Sequence, residues 1–299
     1  MPTTSPFGRS LCAMVTPFTT DGALDLDGAQ RLADHLVTEG RCDGLVLSGT
    51  TGESPTTSDS EKEALVRAVT EAVGGRVPVV AGVGSFDTRH TVELARSVQE
   101  AGADGLLVVT PYYSKPPQDD VEAHFRIVAD AVELPVMLYD IPGRTGTRIE
   151  VETMLRLAAH PRIVAVKDCA YDLLGSSRVI AETELAYYSG CEELNLPLYA
   201  VGGAGFVSTV ANVAGPLLAA MLDAHDAGEA AEATRHHQRV LPLVRLMMAD
   251  GLPGTVTAKA LLGALGLPGG PVRAPLRPAD RARTDALLKA HREAFGAPL

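Results

Sequence analysis

The stretch PVMLYDIPGRTGTRIEVETMLRLAAHPRIVAVKD, Pro135 to Asp168, decides the fold. It opens on one apolar run, Val136 to Tyr139, and closes on another, Ile163 to Lys167, with a turn and a helical pattern between them. Neither run alternates apolar with polar residues. Strands read this way when both of their faces are buried, as in a parallel sheet covered by helices. Strand, helix and strand in this order make one βαβ unit.

Similar runs recur on either side at intervals of roughly 25 to 35 residues, each followed by a helical pattern. They are Leu11 to Thr16, Gly44 to Ser48, Val77 to Val83, Gly105 to Thr110, Leu185 to Ser189 and Gly205 to Ser208, which brings the total to eight. Eight strand and helix units in 299 residues point to an α/β fold of the closed (β/α)8 TIM barrel type. Between the runs, Ser58 to Val73 carries a helix start, with Ser58 as cap and Glu61 three residues on as its capping-box partner. Asp87 to Ala101 and Asp119 to Val132 each open on an acidic residue, which suits the positive end of a helix. From Gly228 onward only helical periodicity remains, broken around Gly251 to Gly254 and Pro268 to Pro278. The expected organisation is a catalytic barrel over 1–227 and a C-terminal helical region over 228–299. Its last helix is expected from Pro278 to Phe295, with the proline in the first turn.

Composition narrows the partners. Hydrophobic residues make up 46% of the chain, enough for a large core, and the net charge is -11 with basic residues scattered, so no nucleic-acid surface is expected. Cys12, Cys42, Cys169 and Cys191 are far apart and fit neither a redox pair nor a zinc spacing, which favours free thiols in a reducing compartment. The segment MPTTSPFGRS has no apolar region behind a basic start, so the cytoplasm is the expected location. Leu194 to Leu222 lacks charged side chains, yet its Gly, Pro and Asn residues break it into helix, strand and helix, and no membrane partner is expected.

In a barrel of this kind chemistry sits at the C-terminal ends of the strands, so polar residues just after each run are the candidates. Lys167 closes IVAVK; burial there favours the neutral amine, a nucleophile able to form a Schiff base. An ion-paired or snorkelling lysine is the alternative, since Asp168 follows. In SGTTGES, Ser48 to Ser54, Gly49 and Gly52 permit a tight turn that leaves Thr50 and Thr51 free to bind a carboxylate, although a plain glycine-rich loop reads the same. In VTPYYSKPPQ, Val109 to Gln118, two tyrosines pinned by prolines can relay protons, cover a neighbouring subunit or simply pack. In LYDIPGRTG, Leu138 to Gly146, Tyr139 ends a strand and Arg144 offers a fork for a carboxylate, or is an ordinary surface arginine.

In this order and spacing, and with AMVTPF from Ala13 and STVANVAG from Ser208, these motifs resemble the dihydrodipicolinate synthase and N-acetylneuraminate lyase family of class I aldolases over essentially the whole chain. The resemblance implies that Lys167 holds pyruvate as a Schiff base. It makes Tyr139 the proton-relaying phenol and Thr51 its hydrogen-bond partner, with Tyr113 completing the relay from an adjacent subunit. It assigns Thr50 and Thr51 to the pyruvate carboxylate, Arg144 to the carboxylate of aspartate semialdehyde, and Gly190 and Val207 to the pocket wall through their backbone. It further implies a homotetramer, built as a dimer of dimers, in diaminopimelate and lysine biosynthesis. An amine attacks the keto group, water leaves, a phenol removes a methyl proton and the enamine attacks the aldehyde. The iminium is the electron sink, so neither metal nor organic cofactor is expected.

Some positions depart from the family pattern. Cys191 and Glu192 follow Gly190 where a pair of aspartates is usual, and Asp140 stands where asparagine is frequent. At positions matching those that hold lysine in feedback-regulated members stand Asp59, Lys62, Phe86 and His90, so little or no lysine inhibition is expected. Two alternatives stay open: a sister aldolase acting on a sugar-acid or hydroxy-keto-acid aldehyde, and a non-catalytic barrel that binds a keto acid.

Overall fold

The eight apolar runs close on themselves in a computed structural model that describes residues 5–248 and 251–296. The chain runs β1 (Ser10–Ala13), α1 (Leu26–Thr38), β2 (Gly44–Leu47), α2 (Asp59–Val73), β3 (Val79–Gly82), α3 (Thr88–Glu100), β4 (Gly105–Val109) and α4 (Gln118–Asp130). It continues with β5 (Val136–Asp140), the short α5 (Pro142–Thr145), α6 (Val151–Leu157), β6 (Ile163–Asp168), α7 (Leu173–Glu182), β7 (Ala186–Ser189), α8 (Asn195–Ala200), β8 (Gly205–Ser208) and α9 (Ala211–Asp226). Every strand pairs in parallel with the next, and β8 returns to β1 through the pairs from Ser10 with Phe206 to Cys12 with Ser208. The (β/α)8 barrel expected from the sequence is therefore the fold.

Strand side chains alternate between the two faces of the barrel wall. Leu11, Val46, Val80, Leu107, Met137 and Val207 fill the interior, while Cys12, Leu45, Val79, Leu106 and Leu138 pack outward into the helix layer with Leu32, Leu65 and Phe125. One irregularity matters for chemistry. Val136 pairs with Ile163 but Met137 pairs with Ala165, so β6 carries one extra residue near its start. That shift leaves Ile163 in the outer layer and turns Ala165 inward, and Lys167, two residues further on, inward with it.

The helix starts follow their capping chemistry. Ser58 accepts from the Glu61 N–H at 3.2 Å and the Ser58 N–H donates to the Glu61 carboxylate at 2.8 Å, the expected capping box. Asp87 caps α3 by accepting from the Arg89 N–H. The segment Leu194 to Leu222 is helix, strand and helix, and among the described residues no helix is long and apolar enough to cross a membrane.

Past the barrel come α10 (Ala230–Met248), α11 (Gly254–Ala264) and α12 (Arg281–Phe295). The first lies against α9 and α12, and the second against α9, α10 and α12. The start of α12 corrects the sequence reading: Pro278 lies outside the helix, and Asp280 is the cap, accepting from the Arg283 N–H at 2.8 Å. A carboxylate can bond an orphan amide of the first turn, which proline cannot.

Candidate active site

Lys167 and Tyr139 sit side by side at the mouth of the barrel. They are register partners on β5 and β6, both buried, and Lys167 Nζ lies 4.3 Å from the centroid of the Tyr139 ring. A cavity of about 940 Å³ opens over them, and its wall includes Thr50, Thr51, Arg144, Lys167, Tyr139 and Gly190. Six of the eight site residues read from sequence thus share one wall. Arg144 stands exposed on α5 and bounds a second, adjoining cavity as well.

Burial sets the electrostatics. It lowers the Lys167 amine below the usual lysine range, against the opposing pull of the Cys169 and Cys191 thiols and the Glu192 carboxylate. It raises the Tyr139 phenol well above its ordinary value, while a hydrogen bond with the Thr50 side chain works the other way. The amine is therefore disposed to be a neutral nucleophile and the phenol to keep its proton.

Gly190 is required by Lys167. A Cβ at this position would come 2.4 Å from Cys169 Sγ and 3.0 Å from Lys167 Cε, so only glycine leaves room for the two side chains. The adjacent Cys191 and Glu192 also line the cavity. Glu192 is fully enclosed and accepts from both the Ser208 hydroxyl (2.8 Å) and the Val210 N–H (3.0 Å), with Asn195 Nδ2 at 3.2 Å. Its burial raises the carboxyl above the ordinary glutamate range.

Two expected placements, those of Thr51 and Val207, differ in the structure. Of the two threonines, the one that acts on the Tyr139 phenol, lowering it, is Thr50. Thr51, which had been expected there, bonds the Thr209 hydroxyl at 2.8 Å instead, because successive side chains of the turn point to different walls. Val207 is absent from the cavity wall; it is 1% exposed inside the barrel, and Thr209 takes the wall position two residues on. Tyr113 is 93% exposed and stands outside the cavity on a left-handed backbone (φ 73°), while Tyr112 borders the adjoining cavity and meets Phe86 edge-on at 5.3 Å.

Sequence reasoning passed over Cys169, Thr209 and Thr255, which also line the cavity. Cys169 and Thr209 were open to discovery as polar residues one place past a strand; nothing local marks Thr255, which comes from α11. Among the described residues no group of three or more His, Cys, Asp or Glu is placed to hold a metal ion.

Behind Lys167 and Tyr139, on the outer face, Asp140 and Asp168 are register partners too. Burial raises both, Asp140 to about 7. The Ile149 N–H donates to Asp140 at 3.2 Å, and Ser176 Oγ donates to Asp168 at 2.6 Å. The adjoining cavity, about 480 Å³, is bordered by Asp59, Lys62, Phe86 and His90. There His90 Nε2 lies 2.7 Å from Asp59, and Lys62 donates to the Thr57 carbonyl at 3.1 Å.

The chain is similar to known proteins over nearly its whole length. The chain is 73% identical over 289 residues to 4-hydroxy-tetrahydrodipicolinate synthase 1 of Streptomyces coelicolor, covering 97% of this chain and 94% of that one. It is 61% identical over 272 residues to 4-hydroxy-tetrahydrodipicolinate synthase of Acidothermus cellulolyticus, covering 91% and 87%. Among solved structures, dihydrodipicolinate synthase from Cyanidioschyzon merolae with lysine bound superposes with a TM-score of 0.93 at 40% identity, covering 98% of this chain and 99% of that one. The model of the dihydrodipicolinate synthetase family matches residues 6–294, and the chain belongs to that family.

Proposed function

We propose that this enzyme is a lyase of the class I aldolase type that condenses pyruvate with aspartate semialdehyde to 4-hydroxy-tetrahydrodipicolinate, through a Schiff base on Lys167. The observation that carries the reading is the buried amine beside a buried phenol at the mouth of a closed barrel. The neutral Lys167 amine attacks the keto carbon and water leaves, giving an iminium. Tyr139, with Thr50 beside it, moves protons at the substrate methyl carbon; the resulting enamine attacks the aldehyde, whose oxygen takes up a proton, and the amino group of the semialdehyde then adds to the iminium carbon and expels the Lys167 amine, closing the ring. Thr50 and Thr51 receive the pyruvate carboxylate, and Arg144 at the cavity rim receives the carboxylate of the semialdehyde with its fork of donors.

Tyr113 serves a neighbouring subunit in this reading, which suits a large phenol held outside its own cavity, and the working form is a homotetramer. Its place is the cytoplasm, in keeping with four free cysteines. Lysine inhibits weakly or not at all, because the Asp59, His90 and Lys62 side chains already engage one another or the backbone where an amino acid would bind.

Borohydride reduction in the presence of pyruvate tests the reading. The expected result is a pyruvate-derived mass increment on the peptide that contains Lys167, and turnover with aspartate semialdehyde exceeding that with N-acetylmannosamine or glyceraldehyde. No increment on Lys167 would sink it.

A further inference from the structure

The C-terminal helices brace the glycine–threonine turn at one buried point. On α11, Lys259 Nζ lies 2.6 Å from Glu53 Oε1, and both side chains are 2% exposed. The same ammonium donates to the Pro271 carbonyl at 2.8 Å and stands 4.2 Å from the centroid of the Phe18 ring. The second Glu53 oxygen accepts from the Arg273 N–H at 2.9 Å. Neither Lys259 nor Glu53 lines the cavity that holds Lys167.

A pair of charges this deeply enclosed is a poor source of stability, because desolvation consumes most of the attraction. Its placement suggests another use. Glu53 follows Thr50, Thr51 and Gly52, and its backbone is left-handed (φ 56°), a conformation that a non-glycine residue adopts only under constraint. Its N–H donates to the Thr50 carbonyl at 3.2 Å, and that same carbonyl accepts from Thr255 Oγ1 of α11 at 3.3 Å. On the other side of the turn, Thr16 Oγ1 donates to the Gly52 carbonyl at 2.6 Å. The turn is thus tied to α11 twice, once through Thr255 and once through the charge pair.

We propose that Lys259 and Glu53 are positioning residues, whose buried contact locks the Gly49 to Glu53 turn in the shape that presents Thr50 and Thr51 to the pyruvate carboxylate. This rests on the reading of that turn given above. Burial lowers Lys259 to about 8 while Glu53 opposes the change, so the amine keeps its proton because the carboxylate is beside it. The contact acts on the first substrate and leaves the Arg144 side of the cavity alone.

Steady-state kinetics of Lys259→Met, Glu53→Gln and the double variant test this, alongside thermal melts. Each single variant leaves one partner uncompensated and should melt lower. The double variant removes both charges and should regain most of that loss, yet its KM for pyruvate should stay raised by about tenfold. KM for aspartate semialdehyde should move by no more than about twofold, and kcat should fall less than kcat/KM for pyruvate. A double variant with wild-type KM for pyruvate, or with both KM values raised alike, overturns the positioning role. Wild-type protein that traps no pyruvate on Lys167 overturns the catalytic reading and this role with it. Trapping by the wild type together with unchanged kinetics in the double variant overturns this role alone.

Discussion

Lys167 and Tyr139 meet because β5 and β6 pair them in register, and Lys167 faces the cavity because β6 carries one extra residue near its start. The side-chain alternation of a strand would otherwise put Ile163 and Lys167 on the same face, yet Ile163 packs outward. A reactive amine inside the barrel thus depends on a local irregularity four residues away.

The two threonines of the turn have separable partners. Thr50→Val should lower kcat by about 10²-fold, because the hydroxyl against Tyr139 is lost from the proton relay. Thr51→Val removes the bond to Thr209 and a carboxylate donor, and should chiefly raise KM for pyruvate. Initial-rate kinetics on the two variants decide the assignment; equal losses in kcat would refute it.

Gly190→Ala forces a methyl against Cys169 Sγ and the Lys167 side chain. A displacement of the nucleophile by a fraction of an ångström should cost about 10²-fold in kcat/KM. Adding Cys169→Ala opens the space and should recover part of the loss. If the pair of changes is no better than Gly190→Ala alone, the steric account fails.

Asp140 gives stability a definite pH slope. Its folded-state carboxyl is raised to about 7 from an ordinary 3.8, so between those values the folded chain binds more protons than the unfolded one. Stability contributed at this site is therefore full below about pH 4, declines as pH rises and is flat above about 7. The Asp140→Asn variant keeps an acceptor for the Ile149 N–H and removes the charge. It should be more stable than the parent by on the order of 2 kcal/mol at pH 8, with the gap closing toward pH 4. Chemical denaturation at the two pH values provides the check, and a constant gap would count against it.

Tyr113 offers a test of assembly. Lys167→Ala and Tyr113→Phe proteins should each be nearly inactive. When they are mixed and allowed to exchange subunits, a site with an intact lysine can receive an intact phenol from its neighbour. Activity of the mixture should exceed the sum of its parts, and simple additivity would place Tyr113 outside the neighbour's site.

How far the sequence could be read follows from what each residue needs. The eight strands were legible because burial on both faces demands continuous apolar runs, and only their ends moved: Leu11 to Thr16 became Ser10–Ala13, and Val77 to Val83 became Val79–Gly82. That Lys167, Tyr139 and Arg144 share one cavity was legible because strand ends in a barrel converge and Arg144 follows β5 on a short helix. The bond of Thr51 to Thr209 was not, since the path of a turn decides which hydroxyl faces which wall. Nor was the contact between Glu53 and Lys259, two charged residues on a loop and a helix that look like ordinary surface until α11 folds over them.

The supports of the threonine turn come from far along the chain, Thr255 being 205 residues from Thr50 and Arg273 220 residues from Glu53. Thr50 and Glu53 are made before Thr255, Lys259 and Arg273, the residues that brace them. A nascent chain therefore holds Lys167 before the residues that fix the neighbouring turn have been made. Until those residues are in place, the turn lacks both of its ties to α11.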